Sequence, residues 1–246
     1  MKSLEKTVRI LDALVQTNGA RIAELSERLD IPNSTVHSHL SALEDHGLVY
    51  SDGDVYIIGL KSLYYSGSLL YDDDIYSLIE PKVRVLARET GERAQFMSEQ
   101  DGQAVYLFTE VANEGAVQTD VRPGEFVAPH ATAAGKAILA HYSDGRVDEI
   151  VDRHGLESCT PHTITDRDTL FEELATVREQ GYAVNDEERI LKHRAIGVPV
   201  LDPLDRPIGG LSVGGPAHRI SSGDHHDMIV NLLLGTAEEI ELNIQY

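Results

Sequence analysis

Asp30-Ile31-Pro32 separates two helix-period segments by only three residues, and that spacing constrains the N-terminal fold more than any other feature. Proline lacks a backbone N–H and clashes with the preceding turn, so it is tolerated only where a helix begins. A helix from about Ala20 to Leu29, with Ile22, Leu25 and Leu29 on one face, must therefore end here. The next starts at once, with Asn33 or Ser34 as its cap, and runs to about His46 with Val36, Leu40 and Leu43 inward. Gly47 stands where a C-terminal glycine cap belongs. An earlier helix carries Leu4, Val8, Leu11 and Leu14/Val15 at helical spacing and stops at Asn18-Gly19. After Gly47 the period drops to two. Leu48-Val49-Tyr50-Ser51 and Val55-Tyr56-Ile57-Ile58 flank Asp52-Gly53-Asp54, the pattern of a β-hairpin. Helix, helix, tight turn, helix and hairpin predict a winged helix-turn-helix. A protein-binding module could use the same elements, but the tight connection favours DNA because it projects one helix face into a major groove.

Gly59 to about Leu70 reads as a linking helix, and Tyr71-Asp72-Asp73-Asp74 breaks the apolar pattern. This predicts a DNA-binding domain over 1–70 and a second domain over 71–246. In the second, helices are expected at Ile75–Thr90, Ala131–His141, Asp168–Gln180 and His226–Leu242. Val105–Phe108 reads as a strand, and Ile196–Val200 pairs with Ile208–Val213 around a turn at Asp202–Pro207. The class is α+β with a largely antiparallel sheet.

The chain lacks a run of about 18 apolar residues, which argues against a transmembrane helix. Its charged N-terminus has no signal core, so a cytoplasmic location is expected. Cys159 is the single cysteine. It excludes an intrachain disulfide, suits a reducing compartment, and sits in a segment, ESCTPHT, with no feature that activates a thiolate.

No enzyme signature is present: there is no G-x-S-x-G elbow, no supported Cys–His pair and no dinucleotide fingerprint. His37/His39, His218 and His225/His226 lack metal-ligand spacing, so neither a metal nor another cofactor is expected. The formal charge of −20 opposes nucleic-acid binding at ordinary salt, because phosphate contacts supply most non-specific affinity. A high-salt cytoplasm removes the conflict by screening over a few ångströms, and a halophilic source is inferred.

Four segments carry a resemblance. They are Ile31-Pro32-Asn33-Ser34-Thr35-Val36-His37, His130-Ala131-Thr132-Ala133-Ala134-Gly135-Lys136-Ala137, Gly181-Tyr182-Ala183-Val184-Asn185-Asp186-Glu187-Glu188, and Gly197-Val198-Pro199-Val200 with Leu211-Ser212-Val213-Gly214-Gly215-Pro216. In this order and spacing, over nearly the whole chain, they resemble the IclR family of transcription regulators. The resemblance implies a winged helix-turn-helix joined to a GAF-like effector domain. It also implies homodimers, often dimers of dimers, on palindrome-like operators of double-stranded DNA.

For the first domain, the outward face of the third helix offers Ser34, Thr35, His37, Ser38 and Ser41 to bases or phosphates, with Asn33 at its start and Arg21 beside it. A merely solvated face is the alternative, weakened by the absence of Glu and Lys before Glu44. Relatives often carry an arginine where this chain has Ser38, so their base preference does not transfer. Residues 1–65 hold six basic and nine acidic side chains, which predicts few phosphate contacts and a shallow or inverted salt dependence.

His130–Ala137 is not a Walker motif: Ala137 stands where Ser or Thr is needed and the spaced glycine is missing. Its small residues suit either close packing or a ligand at a helix N-terminus, and the resemblance favours the ligand. Carried over by position, the effector site takes in Ala133, Ala134 and Gly135, with Ala116, Thr119 and Val127 before them. Its far wall is Asn185, His193, Ala195, Ser212 and Gly214. Better-known relatives have an acid at the position of Asn185 and a cysteine at that of Ala195, so a different ligand is expected: a sugar, a sugar acid or another organic acid. His193 is either a partner for a carboxylate or a surface residue of Lys192-His193-Arg194. The runner-up for the whole chain is a ligand-binding or protein-interaction module without specific DNA binding.

Overall fold

A computed structural model describes residues 2–71, 74–112, 121–221 and 223–244. The chain divides into two compact units, Met1–Asp73 and Asp74–Tyr246.

The first unit runs α1 (Lys2–Thr17), β1 (Ala20–Arg21), α2 (Ile22–Leu29), α3 (Asn33–Asp45), β2 (Val49–Asp52), β3 (Val55–Ile58) and α4 (Ser62–Tyr71). Its core joins Ile10, Ala13 and Leu14 of α1 to Leu25, Ile31, Val36, Leu40 and Leu43. The inward triad of α3 is thus the one its periodicity predicts. The expected face of α1 holds only in its second half: Leu14 is buried and Leu11 packs on the core, whereas Leu4 is 74% and Val8 56% exposed and Ile10 and Ala13 are buried in their place. Both stripes of α1 are apolar, and the docking of α2 and α3 selects the second. Ala20 and Arg21 are not helical; they add a short strand to β3, with Ala20 opposite Tyr56. Asp30 closes α2 in the left-handed region (φ 54°). Neither Asn33 nor Ser34 caps α3, because the cap position falls on Pro32, which has no side-chain donor or acceptor to offer. At the other end, Gly47 N–H donates to Glu44 O and Leu48 N–H to Leu43 O. Gly47 has φ +74°, the left-handed cap that glycine adopts without steric cost.

The second unit begins with α5 (Asp74–Thr90), β4 (Arg93–Gln100), β5 (Gln103–Val111) and β6 (Phe126–Val127). It continues with α6 (Ala133–Ala140), α7 (Asp144–His154), α8 (Arg167–Gln180) and β7 (Ala183–Asp186). It ends with β8 (His193–Leu201), β9 (Pro207–Pro216), α9 (Ala217–Ile220) and α10 (Asp224–Ile244). The sheet order is β6-β5-β4-β9-β8-β7, with antiparallel pairing throughout. Helices α5 and α10 pack against each other and the sheet, and α6 packs on the sheet and α8. Strand alternation sorts the side chains. Ile196, Val198, Val200, Leu211 and Val213 are buried core residues, and the residues between them face α6. Gly197 lies so close to α6 that a Cβ would sit 2.5 Å from Ala133 C and Ala134 N, and a Cβ on Gly210 would sit 2.8 Å from Ala134 O. Only glycine permits this approach, and it brings the start of α6 onto the middle of the sheet. Among the described residues, no helix is long and apolar enough to cross a membrane.

Candidate DNA-reading helix and effector pocket

On α3, Asn33, Ser34, His37 and Ser38 are exposed, while Thr35 and Ser41 are half-buried. Helical spacing places Ser34, Ser38 and Ser41 opposite Val36, Leu40 and Leu43, with His37 and Thr35 at the flanks, and Asn33 at the helix start on the stripe of the core triad. Ser38 Oγ donates back to Ser34 O at 2.9 Å, so its outward bonding capacity is that of an acceptor in this rotamer. His39, one residue on, is turned inward and its Nδ1 lies 2.8 Å from Thr7 Oγ1. The hairpin is tied to α3 by Glu44, whose Oε1 accepts from Ser51 Oγ at 2.5 Å and Ser51 N–H at 3.2 Å. Arg21 is already engaged: its Nε donates to Asp54 at the hairpin tip at 2.6 Å, and Glu24 lies 3.8 Å away. Arg28 donates to Gln16 Oε1 at 2.8 Å and Arg9 to Leu29 O at 2.9 Å. A phosphate at Arg21 would have to displace Asp54, which lowers the net gain from that contact.

In the second unit, the sheet face beneath α6 holds a small cavity of about 40 Å³. Alternation aims Arg93, Gln95 and Met97 of β4, His193 and Ala195 of β8, and Ser212 of β9 into it. Thr132 and Ala133 close it from the start of α6, and Asn185 from β7. Tyr106 joins them because of a β-bulge. Phe96 pairs with Phe108 but Met97 pairs with Tyr106, so Leu107 is skipped. The extra residue puts Tyr106 and Phe108 on opposite faces. Phe108 packs with Phe96 and Tyr76 at ring separations of 6.4 Å, and Tyr106 faces the cavity.

Five of the expected effector residues therefore meet at this cavity: Ala133, Asn185, His193, Ala195 and Ser212. Ala134 and Gly135 do not line it. Ala134 packs with Met97, Tyr106 and Val127, and a Cβ on Gly135 would lie 2.3 Å from Pro129 O. Their small size serves packing. The Gly135 N–H is spent on the Thr132 hydroxyl at 3.1 Å. Gly214 makes room for the His193 ring, where a Cβ would come within 2.8 Å of Cε1. Val127 borders a second, larger cavity. Ala116 and Thr119 lie outside the described residues.

Asn185 has both ends of its amide in use, donating to Ala131 O and accepting from Glu188 N–H at 3.2 Å. Arg93, Tyr106 and Arg189, which sequence reasoning missed, supply much of the polar lining. Arg189 donates to Glu125 at 3.2 Å and stacks on the Tyr106 ring at 5.6 Å. Burial, and then the nearby Arg93 and Arg189, push His193 down to about 4. The ring is therefore neutral at pH 7 and offers a neutral donor or acceptor, not a cation.

That shift has a measurable consequence. The folded state binds fewer protons at His193 than the unfolded chain between pH ~6.5 and about 4. The contribution to stability is full above the unfolded value and is lost as pH falls through the folded one. Burial lowers His130 and His141 in the same direction. We expect the melting temperature of this unit to fall between pH 7 and pH 4.5, and His193→Gln to remove at most about 3 kcal/mol of that dependence. An unchanged pH profile in the variant would contradict the assignment.

Deeper still, Lys136 is 1% exposed. Its Nζ donates to Glu173 and Glu188 at 2.7 Å each and to Val184 O at 2.6 Å. This lysine, half of the phosphate-loop look-alike, is a structural cation that ties α6 to α8 and to the end of β7.

A winged helix-turn-helix joined to an antiparallel-sheet unit that carries cavities at its sheet defines a ligand-responsive transcription regulator. Residues 3–53 match the IclR helix-turn-helix domain, and residues 68–242 match the bacterial transcriptional regulator IclR C-terminal domain. The chain belongs to the IclR family: it is a DNA-binding regulator with a C-terminal effector domain, not an enzyme. It is 33% identical to the probable HTH-type transcriptional regulator ArcR of Halobacterium salinarum, over 99% of this chain and 94% of that protein. It is 28% identical to the transcriptional repressor IclR of Escherichia coli, over 98% and 89%. The crystal structure of the Thermotoga maritima IclR superposes with a TM-score of 0.83 at 27% identity, covering 100% of both chains.

Proposed function

We propose that this chain is a cytoplasmic homodimer, paired further into dimers of dimers, that reads a palindrome-like operator through α3. Its DNA affinity is set by an organic or sugar acid bound between α6 and the sheet. The observation that carries the reading is the exposed face of α3, with Ser34, His37 and Ser38 outward and every apolar side chain of the helix's core triad buried. Short hydroxyl and imidazole groups there can approach base edges closely. Dimerisation is supported by apolar side chains that the first unit leaves exposed, among them Leu4 and Val8 on α1 and Leu63, Tyr64 and Leu69 on α4. Two copies place two recognition helices about one helical turn apart. The acid is supported by the guanidinium groups of Arg93 and Arg189 in the cavity lining.

A mobility-shift titration against DNA upstream of the chain's own gene, in low and in molar potassium chloride, tests this. Specific binding is expected, with a shallow overall salt slope, because each phosphate contacted contributes roughly −0.9 and few are contacted. Engagement of Arg21 by Asp54 and of Arg28 by Gln16 is the reason for the shallow slope. Folded protein that binds no operator at any salt would move the reading to a ligand-binding module whose N-terminal unit contacts protein.

A further inference from the structure

We propose that the effector is a carboxylic acid with an apolar body, which engages Arg189 through its carboxylate and fills a second cavity on the far side of that residue. This rests on the effector reading above and enlarges its site. The cavity beneath α6, at about 40 Å³, has room for about three waters, enough for a carboxylate group beside Arg189 but not for the body attached to it. Beside it lies a cavity of about 520 Å³, within the roughly 300–1,000 Å³ span of small-molecule sites. Among the described residues the two share only Arg189 and Ile190. These belong to the connection between β7 and β8 rather than to a strand, so they can move without breaking sheet bonds.

The large cavity is mixed in character, which suits the body of an amphipathic ligand: Leu139, Ile150, Val151, Leu156 and Leu170 give it one apolar side, and Gln103, His154 and Glu157 a polar one. Its buried His130 is turned to Glu157 O at 3.1 Å and kept neutral by burial. The guanidinium at the junction is held by Glu125, which lines the large cavity. A ligand carboxylate can replace Glu125 on Arg189, so that one anion is exchanged for another and the cation is never left alone. The exchange releases Arg189 within the β7–β8 connection, next to the Glu188 that anchors Lys136 of α6.

Cys159, the single cysteine, is exposed and lines the large cavity, so it reports on occupancy. The test uses the full chain in molar potassium chloride, with 4-phenylbutanoate, its neutral amide and acetate as probes. Calorimetry measures binding, and mass spectrometry follows iodoacetamide alkylation of Cys159. We expect 4-phenylbutanoate to bind and slow alkylation severalfold, and the amide and acetate to do neither. Arg189→Gln should weaken binding by ~10-fold or more, the usual loss for a charged hydrogen bond. Glu125→Gln, which removes the competing carboxylate, should not weaken it. Failure of the phenyl acid to bind, binding that leaves the Cys159 rate unchanged, or equal binding by Arg189→Gln would each overturn the proposal. If acetate alone bound and altered operator affinity, the effector reading would stand and this extension of it would fall.

Discussion

Thr35→Ala combined with His37→Ala is expected to abolish specific operator binding while leaving the protein folded. His37 is exposed and Thr35 half-buried at the flank of α3, and neither belongs to the buried triad Val36, Leu40 and Leu43. A specific base contact is worth about 1–3 kcal/mol, so two lost contacts weaken binding by ~30-fold or more. Stability should change little, because exposed substitutions away from a core fall within about 0.5 kcal/mol. Half-buried Thr35 makes the larger of the two small effects. Fluorescence anisotropy on operator DNA gives the affinity, and a thermal melt of the same sample gives the fold. Unchanged affinity in the double variant would show that α3 does not read this DNA.

Lys136→Met carries the largest expected effect on stability. The side chain fits the space, but the ammonium that satisfies three acceptors is gone. Glu173 is part-exposed and can turn to water, whereas Glu188 is buried and its Oε2 already lacks a hydrogen bond. Removing one member of a buried pair costs about 3–5 kcal/mol, because the remaining charge is left uncompensated. Glu188 responds by taking a proton. Burial already raises it, and Lys136 opposes that rise in the wild-type protein. Folded Glu188 in the variant then binds more protons than the unfolded chain, so the variant's stability falls as pH rises through that range. We expect Lys136→Met to be less damaging at pH 5 than at pH 8, and Lys136→Met with Glu188→Gln to recover much of the loss. Thermal unfolding of the effector-domain transition at both pH values checks this. A pH-independent loss would assign the effect to packing of the methionine instead.

Much of the fold was legible because single elements carried unambiguous patterns. The inward triad of α3, the cap at Gly47, the hairpin and the β8–β9 pair each follow from a local period with a turn signal at its end. Where the sequence misleads, two patterns of equal local merit compete. Both faces of α1 are apolar, and only contact with α2 and α3 selects Ile10 and Ala13 over Leu4 and Val8. Ala20-Arg21 fits a helix locally, but pairing with β3 takes it. Strand β4, Arg93-Ala94-Gln95-Phe96-Met97, hides because its cavity-facing positions are long and polar, which reads as a loop.

The site was half legible for the same reasons. Residues that line it through strict alternation, such as Ala195 and Ser212, are reachable by position. Tyr106 is not, since a bulge breaks the period between it and Phe108. Gly135 and Ala134 were ambiguous between ligand approach and packing, and their close backbone neighbours decide for packing. Arg189 and Lys136 needed the tertiary fold, which brings them to partners at positions 125, 173 and 188.

The most direct test of metabolite-controlled DNA binding measures operator affinity by anisotropy with and without each of a panel of organic and sugar acids. It compares the wild-type chain with Ala133→Leu, which fills the cavity beneath α6. A ligand shifts the equilibrium only through its different affinity for the two states, and coupling of this kind typically changes affinity by ~5- to 150-fold. The account predicts that one acid changes the wild-type operator Kd by at least ~5-fold and leaves that of Ala133→Leu unchanged. Operator binding that no acid alters, or that the same acid alters equally in Ala133→Leu, would contradict it.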